Sequence, residues 1–221
     1  MSDAKPLKLL ILGAGGHAKV VMDAIEAGAC SEIAPDGFKV TGFIDIEDGS
    51  LVGEKFLELR VLGDLSDLPR LKLQGGQAVF PGHGDPLSRA KAVAASQKIK
   101  YKLPILIHPS GTVSNSASIG AGSFVAAGAV VGPDANLGRY CLVNTCASVD
   151  HDCVLGEGVH VSVGARLAGN VRVDADTLIG AGATVIPGIK IGKEVTIAAG
   201  AVVVKDVPDG ATVMGVPGTI R

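Results

Sequence analysis

Every sixth residue from Ile107 to Val203 is aliphatic. The series begins Ile107, Val113, Ile119, Val125 and ends Ile191, Ile197, Val203, seventeen positions with no step skipped. Were half of all residues aliphatic, chance would give such a run about once in 10⁵. Four residues after each anchor lies a second column, nearly all small or β-branched: Gly111, Ala117, Ser123, Ala129, Ala135, Cys141 and so on to Ala201. A period of six suits neither an α-helix nor a long alternating strand. It suits short parallel strands joined at tight corners and stacked as a solenoid, with the long aliphatic residue filling the interior. Glycine directly after the anchor, as at Gly120, Gly132, Gly138, Gly156, Gly180 and Gly192, is expected to relieve the corner backbone.

Residues before the repeat differ in kind. Leu9–Leu12 reads as a buried strand, followed by the turn Gly13-Ala-Gly-Gly-His-Ala18 and a helical pattern at Val20, Val21, Ala24 and Ile25. Further strands are expected at Val40–Ile44, Arg60–Gly63 and Gln77–Phe80, and a second helix between Arg89 and Lys100. Strands alternating with helices imply a small parallel sheet. Pro104 closes the connector that starts at Tyr101. The chain therefore divides into a Rossmann-like α/β domain, 1–104, and a parallel β-helix, 105–221.

Composition narrows the function. The 31 glycines carry no Gly-X-Y period, which excludes collagen. A formal net charge of −2 with mixed signs gives no basic patch for nucleic acid. No apolar run is long enough for a membrane span, and Met1–Lys8 lacks a signal-peptide layout, so a soluble, cytoplasmic protein is expected. Cys30, Cys141, Cys146 and Cys153 have neither disulfide nor zinc spacing and are read as small buried side chains.

A glycine-rich turn between strand and helix aims backbone N–H groups at an anion. Three readings fit Gly13–Ala18: a nucleotide-diphosphate site, a dinucleotide site, or a structural turn. A dinucleotide site wants an acidic residue about 20 positions on, at a strand end. Asp36 has the spacing but lies in a Pro-Asp-Gly turn, and Asp45 ends a strand but comes later.

The stretch Gly13–Val21, then Gly42-Phe-Ile-Asp45, Val61-Leu-Gly63 and His108-Pro-Ser, resembles the bacterial nucleotide-sugar acetyltransferases over essentially the whole chain. These hexapeptide-repeat enzymes include the bacillosamine and perosamine N-acetyltransferases and the sialic acid O-acetyltransferases. The resemblance implies a left-handed β-helix that binds acetyl-CoA and an N-terminal domain that binds a nucleotide-linked amino sugar. It places Gly15, Gly16 and His17 on the diphosphate or sugar, and Asp45 and Gly63 on the nucleoside. Some relatives carry paired Asp where this chain has Asp45-Ile46, so the base stays open between uracil, thymine and guanine. It makes His151 the general base and Asp152 the carboxylate that raises its basicity. His160 is implied to contact acetyl-CoA, with Ala181 and Ala199 along the pantetheine groove and no metal. It further implies a homotrimer with active sites between subunits, and a role in polysaccharide or glycoconjugate assembly.

By register His151 lies two past its anchor Val149, outside both interior columns, and so faces solvent. The plain alternative is a solvated surface pair. Cys153 points inward, which argues for direct acetyl transfer over an acyl-cysteine. His83, in Pro81-Gly-His-Gly-Asp85, is either a loop residue or a ligand contact at a strand end. His108 reads as structural. Lys205–Arg221 should cap the last coil or border the coenzyme's adenine. N-acetylation leads, with O-acetylation of a sialic-acid-like sugar and a non-catalytic nucleotide-binding scaffold as the other readings.

Overall fold

A computed structural model describes residues 5–221. The stretch read above as lacking a leader begins at Met1–Ala4, outside the described residues.

The N-terminal domain is a five-stranded sheet. Strands β1 (Leu7–Leu12), β2 (Phe38–Asp45), β3 (Lys55–Phe56), β4 (Leu59–Asp64) and β5 (Ala78–Pro81) lie in the order β3-β4-β2-β1-β5. Four strands are parallel, as the alternating pattern requires, whereas β3 is an antiparallel edge formed by a tight return onto β4. Helix α1 (Gly16–Glu26) buries Ala18, Val21 and Ala24, spaced for one helical face. A short helix, α2 (Leu68–Leu73), buries Leu68 and Leu71. Helix α3 (Pro86–Lys98) opens with Asp85, whose carboxylate accepts the Ser88 N–H at 2.8 Å, and Pro86 at its first position. The connector after α3 is tied to the sheet edge, with Val79 N–H donating to the Lys102 carbonyl and the Tyr101 hydroxyl to that of Leu68.

From Leu106 the chain winds through two-residue strands that pair with strands 18 residues away, as Val130 pairs with Ser148 and Ser148 with Arg166. Three hexads thus make one turn of a three-sided prism. Its first face runs from Leu106–Ile107 through Phe124–Val125, Leu142–Val143 and His160–Val161 to Thr196–Ile197, then adds Thr212–Met214 and Thr219–Ile220. The second runs from Thr112–Val113 through Ser148–Val149 and Arg166–Leu167 to Val202–Val203. The third runs from Ser118–Ile119 through Val154–Leu155 to Lys190–Ile191. Anchors and small residues fill the interior as one continuous core. Polar members of the small column are satisfied inside it: the Thr177 hydroxyl donates to the Gly192 carbonyl at 2.8 Å and accepts the Val195 N–H at 3.0 Å.

Two expectations need correction. The left-handed corner lies three residues past the anchor, at Asp134, Tyr140, Cys146, Asp152, Asn170, Asp176 and Glu194 as well as at glycines. Glycine one past the anchor answers a different need. A Cβ on Gly120 would stand 2.5 Å from the Gly138 carbonyl carbon, so its bare backbone lets successive coils approach. Cys141 and Cys153 are buried as expected, but Cys30 and Cys146 are exposed, Cys146 because it occupies a corner.

The α/β domain packs on the first face. Leu106, Phe124, Ala126 and Leu142 of the prism join Leu9, Ile11, Ala18, Phe43 and Phe80 in one apolar cluster. This choice of face positions everything below.

Candidate active site and nucleotide cleft

Three groups of side chains carry chemistry. The first is at the C-terminal ends of β1, β2 and β5, where an open cleft of about 230 Å³ is lined by Gly13, Ala14, Gly15, Asp45, Ile46, Glu47, Asp48, Ser50, Leu51 and His83. Parallel sheets bind ligands at such strand ends. Gly15 caps α1 without any side-chain bond, and the first turn carries no acidic residue, so its N–H groups face the cleft's side of the domain unscreened. Asp45 lines the cleft, but both its oxygens are spent on the chain: one accepts the Glu47 N–H at 2.9 Å, the other the Leu51 N–H at 3.1 Å. It shapes the loop from 45 to 51. Gly16 is exposed with open space at its α-carbon. Gly63 does not line the cleft; it makes room for Asp67, whose carboxylate a Cβ there would strike.

The second group lies between the domains. His17 turns from the glycine turn towards the prism, its ring 5.9 Å from that of Phe124. Burial, then the charge of Arg89, holds its pKa down to about 3. His160, on the prism's first face, is buried, with Nε2 at 3.2 Å from the Asn144 amide and Nδ1 without a hydrogen bond among the described residues. Burial and then Arg89 lower its pKa to about 4. Arg89 itself is 2% exposed. Its guanidinium donates to the carbonyls of Gly84, Gly158 and Tyr140, the first at 2.6 Å and the last at 3.3 Å, and so rivets α3 to two prism corners. Burial draws its pKa down to about 10, so it stays a cation at neutral pH. Sequence reasoning missed this residue. Its signal was a charge at helical spacing with the buried Ala92, Val93 and Ser96.

The third group stands apart from both. His151 lies at the edge where the second face turns into the third, between Ser148–Val149 and Val154–Leu155. Its side chain is 53% exposed, and Nδ1 meets Oδ2 of Asp152 at 2.7 Å. Asp152 adopts a left-handed corner with φ of 59° and anchors its N–H on the Pro133 carbonyl. The Asp152 hydrogen bond, with the charges of Asp150 and Asp152 behind it, raises the imidazole pKa above its ordinary value. Because Nδ1–H points at the carboxylate, Nε2 is the basic nitrogen offered to solvent. That nitrogen lies over Gly169, one coil along, where any Cβ would strike it. The Gly169 N–H makes no hydrogen bond among the described residues. Cys153, next door, is buried and donates its thiol to the Ala168 carbonyl at 3.2 Å, and burial pushes its pKa up. That is the environment of an inert thiol.

Ala181 and Ala199 are exposed and occupy successive coils at the edge between the first and second faces, joined by the Gly200 N–H donating to the Ala181 carbonyl. Within one chain, then, the His17–His160 pair and the alanine edge border the first face, and the cleft belongs to the domain packed on that face. His151 does not border it.

Comparison with known proteins agrees with this fold. Residues 8–95 match the PglD N-terminal domain, and residues 170–205 match the bacterial transferase hexapeptide with its six repeats. The acetyltransferase domain of PglB from Neisseria gonorrhoeae, solved with acetyl coenzyme A, is 37% identical over 98% of this chain and 100% of its own, with a TM-score of 0.84. PerB from Caulobacter crescentus, solved with CoA and GDP-perosamine, is 37% identical over 97% of each chain, with a TM-score of 0.87. WeeI from Acinetobacter baumannii is 26% identical over 97% of this chain and 100% of its own, with a TM-score of 0.82. With a glycine-turn domain docked on one face of a hexapeptide prism, and likeness sustained from end to end, the chain belongs to the PglD-type hexapeptide acetyltransferases.

Proposed function

We propose that this protein transfers the acetyl group of acetyl-CoA to the amino group, at C4, of a nucleotide-linked amino-deoxy sugar. Residues 1–104 bind the nucleotide-sugar and residues 105–221 the coenzyme. The observation that carries the reading is the exposed His151–Asp152 pair, basic at Nε2 and seated over Gly169. Relatives matched along nearly the whole chain, one solved with acetyl coenzyme A and one with CoA and GDP-perosamine, supply the substrate classes.

The reaction is a direct attack. The sugar nitrogen adds to the thioester carbonyl while His151 Nε2 takes a proton from it. The carbonyl oxygen becomes an oxyanion, and the free Gly169 N–H beneath Nε2 is the donor placed to meet it. Collapse expels the CoA thiolate, which takes the proton back from the imidazolium. No acyl-enzyme is required, in keeping with the buried Cys153 thiol.

The site is shared between subunits of a homotrimer. The nucleotide domain covers the first face, whereas His151 stands on the edge opposite that face. Its partner ligands therefore come from a second chain, whose cleft, His17, His160, Ala181 and Ala199 border the same groove. A cytoplasmic location goes with this reading, since acetyl-CoA and nucleotide-sugars are cytoplasmic metabolites.

The test is release of CoA thiol with UDP-, dTDP- and GDP-linked 4-amino sugars, for the wild type and for His151→Asn. One of the three should support turnover, with the variant reduced by about 10²-fold or more. Turnover on 4-hydroxy but not 4-amino sugars, or an unimpaired His151→Asn, overturns the proposal.

A further inference from the structure

His83 lines the nucleotide cleft and has no part in the mechanism above. It follows β5 by two residues, and the loop beneath it is fixed: Arg89 donates to the carbonyls of both His83, at 3.5 Å, and Gly84, at 2.6 Å. The ring is oriented as well. Nδ1 accepts the Asp85 N–H at 3.2 Å, so the imidazole proton sits on Nε2. Across the cleft Nε2 stands 3.3 Å from Oε1 of Glu47, without the alignment of a hydrogen bond.

Glu47 is a different kind of partner from the other cleft carboxylates. Asp45 spends both oxygens on backbone N–H groups, and Asp48 accepts that of Ser50. The Glu47 side chain is 70% exposed and touches only His83 among the described polar groups. An exposed pair of this sort holds weakly and exchanges readily for a better acceptor. On the cleft's other wall stand the glycine turn and the uncapped start of α1. One acceptor placed between these walls faces N–H donors from both.

We infer that His83 binds the diphosphate of the nucleotide-sugar through Nε2–H, and that Glu47 holds this place until a phosphate oxygen displaces it. The inference rests on reading the cleft as the nucleotide site. A phosphate oxygen outcompetes the carboxylate because it can accept from the glycine turn at the same time. Glu47 then swings to solvent, which its exposure permits.

Calorimetric titration separates the possibilities, with UDP, dTDP and GDP set against uridine, thymidine and guanosine. His83→Ala should weaken the diphosphate that the wild type binds tightest by about tenfold and leave its nucleoside unchanged. His83→Gln, which keeps an N–H donor, should recover most of the loss. Glu47→Gln, freeing the imidazole, should tighten the diphosphate a few-fold. Melting temperatures of all three should match the wild type. Diphosphate binding untouched by His83→Ala, or an equal loss for diphosphate and nucleoside with melting unchanged, overturns the role of His83. If the wild type binds none of the three diphosphates, the reading of the cleft falls as well.

Discussion

The imidazole of His151 rests on the α-carbon of Gly169, in space that a single methyl group would fill. Glycine is thus needed at 169 for what lies above it. Gly169→Ala keeps the backbone N–H but pushes the ring off its seat. The expected result is a loss of kcat of about 10²-fold, with little change in the KM for acetyl-CoA. Steady-state kinetics beside a melting curve decide it; an unchanged kcat would show that the ring's seat is immaterial.

On the proposed mechanism, the link between His151 and Asp152 should set the acid limb of the pH profile. His151 works as a base only when neutral, and Asp152 raises its pKa, so activity climbs as pH rises through that raised value. Asp152→Asn removes the raising influence. The acid limb should move to lower pH while the plateau falls, because a weaker base and a less fixed tautomer are left. A limb that stays in place or moves upward contradicts the assignment.

Acid should loosen the domain junction before it reaches the prism. His160 has an ordinary value of 6.5 when unfolded but about 4 in the fold. Between those two values the unfolded chain binds a proton that the folded chain refuses, so stability rises with pH across that window and is lost as pH falls. The loss at pH 4 amounts to about 3 kcal/mol from this residue. Denaturant titrations at pH 7 and pH 4.5 should show the difference, and His160→Gln should remove about half of it, leaving the part due to His17, whose pKa burial holds down to about 3.

Arg89 offers a direct probe of the same junction. Arg89→Met keeps the bulk but leaves the Gly84, Gly158 and Tyr140 carbonyls buried without their donor. A destabilisation of about 3 kcal/mol is expected from equilibrium unfolding. Arg89→Lys, which can meet fewer of the three carbonyls, should fall between that variant and the wild type.

Subunit sharing predicts complementation. His151→Asn and Gly15→Leu, the latter filling the cleft where a Cβ meets open space, should each be inactive alone. Mixed trimers assembled at equal ratio should regain about a quarter of wild-type activity, since each site draws one part from each of two neighbours. No recovery on mixing would place the whole site within one chain.

The repeat was plain in the sequence because burial enforces it: each anchor has one direction to point, and no other spacing fills the prism. The exposure of His151 followed from the same register. Corner geometry was harder to see, since left-handed backbone accepts Asp, Asn, Tyr, Cys and Glu here, and the glycines beside the anchors answer to the neighbouring coil. Strand β3 and helix α2 were overlooked because two and six residues carry too little periodicity. Arg89 and the turning of His17 towards Phe124 depend on how two domains meet, which no local pattern records.

Because one turn of the prism takes 18 residues, this scaffold can lengthen or shorten only by whole rungs without disturbing its edges. Excising three hexads below His151 would leave it on the same ridge, merely nearer the base. Removing a single hexad would satisfy the interior just as well, yet would rotate everything downstream to the next ridge and carry the imidazole away from the groove we propose it shares with a neighbouring chain. Selection on the core alone tolerates either change; selection on catalysis counts in eighteens.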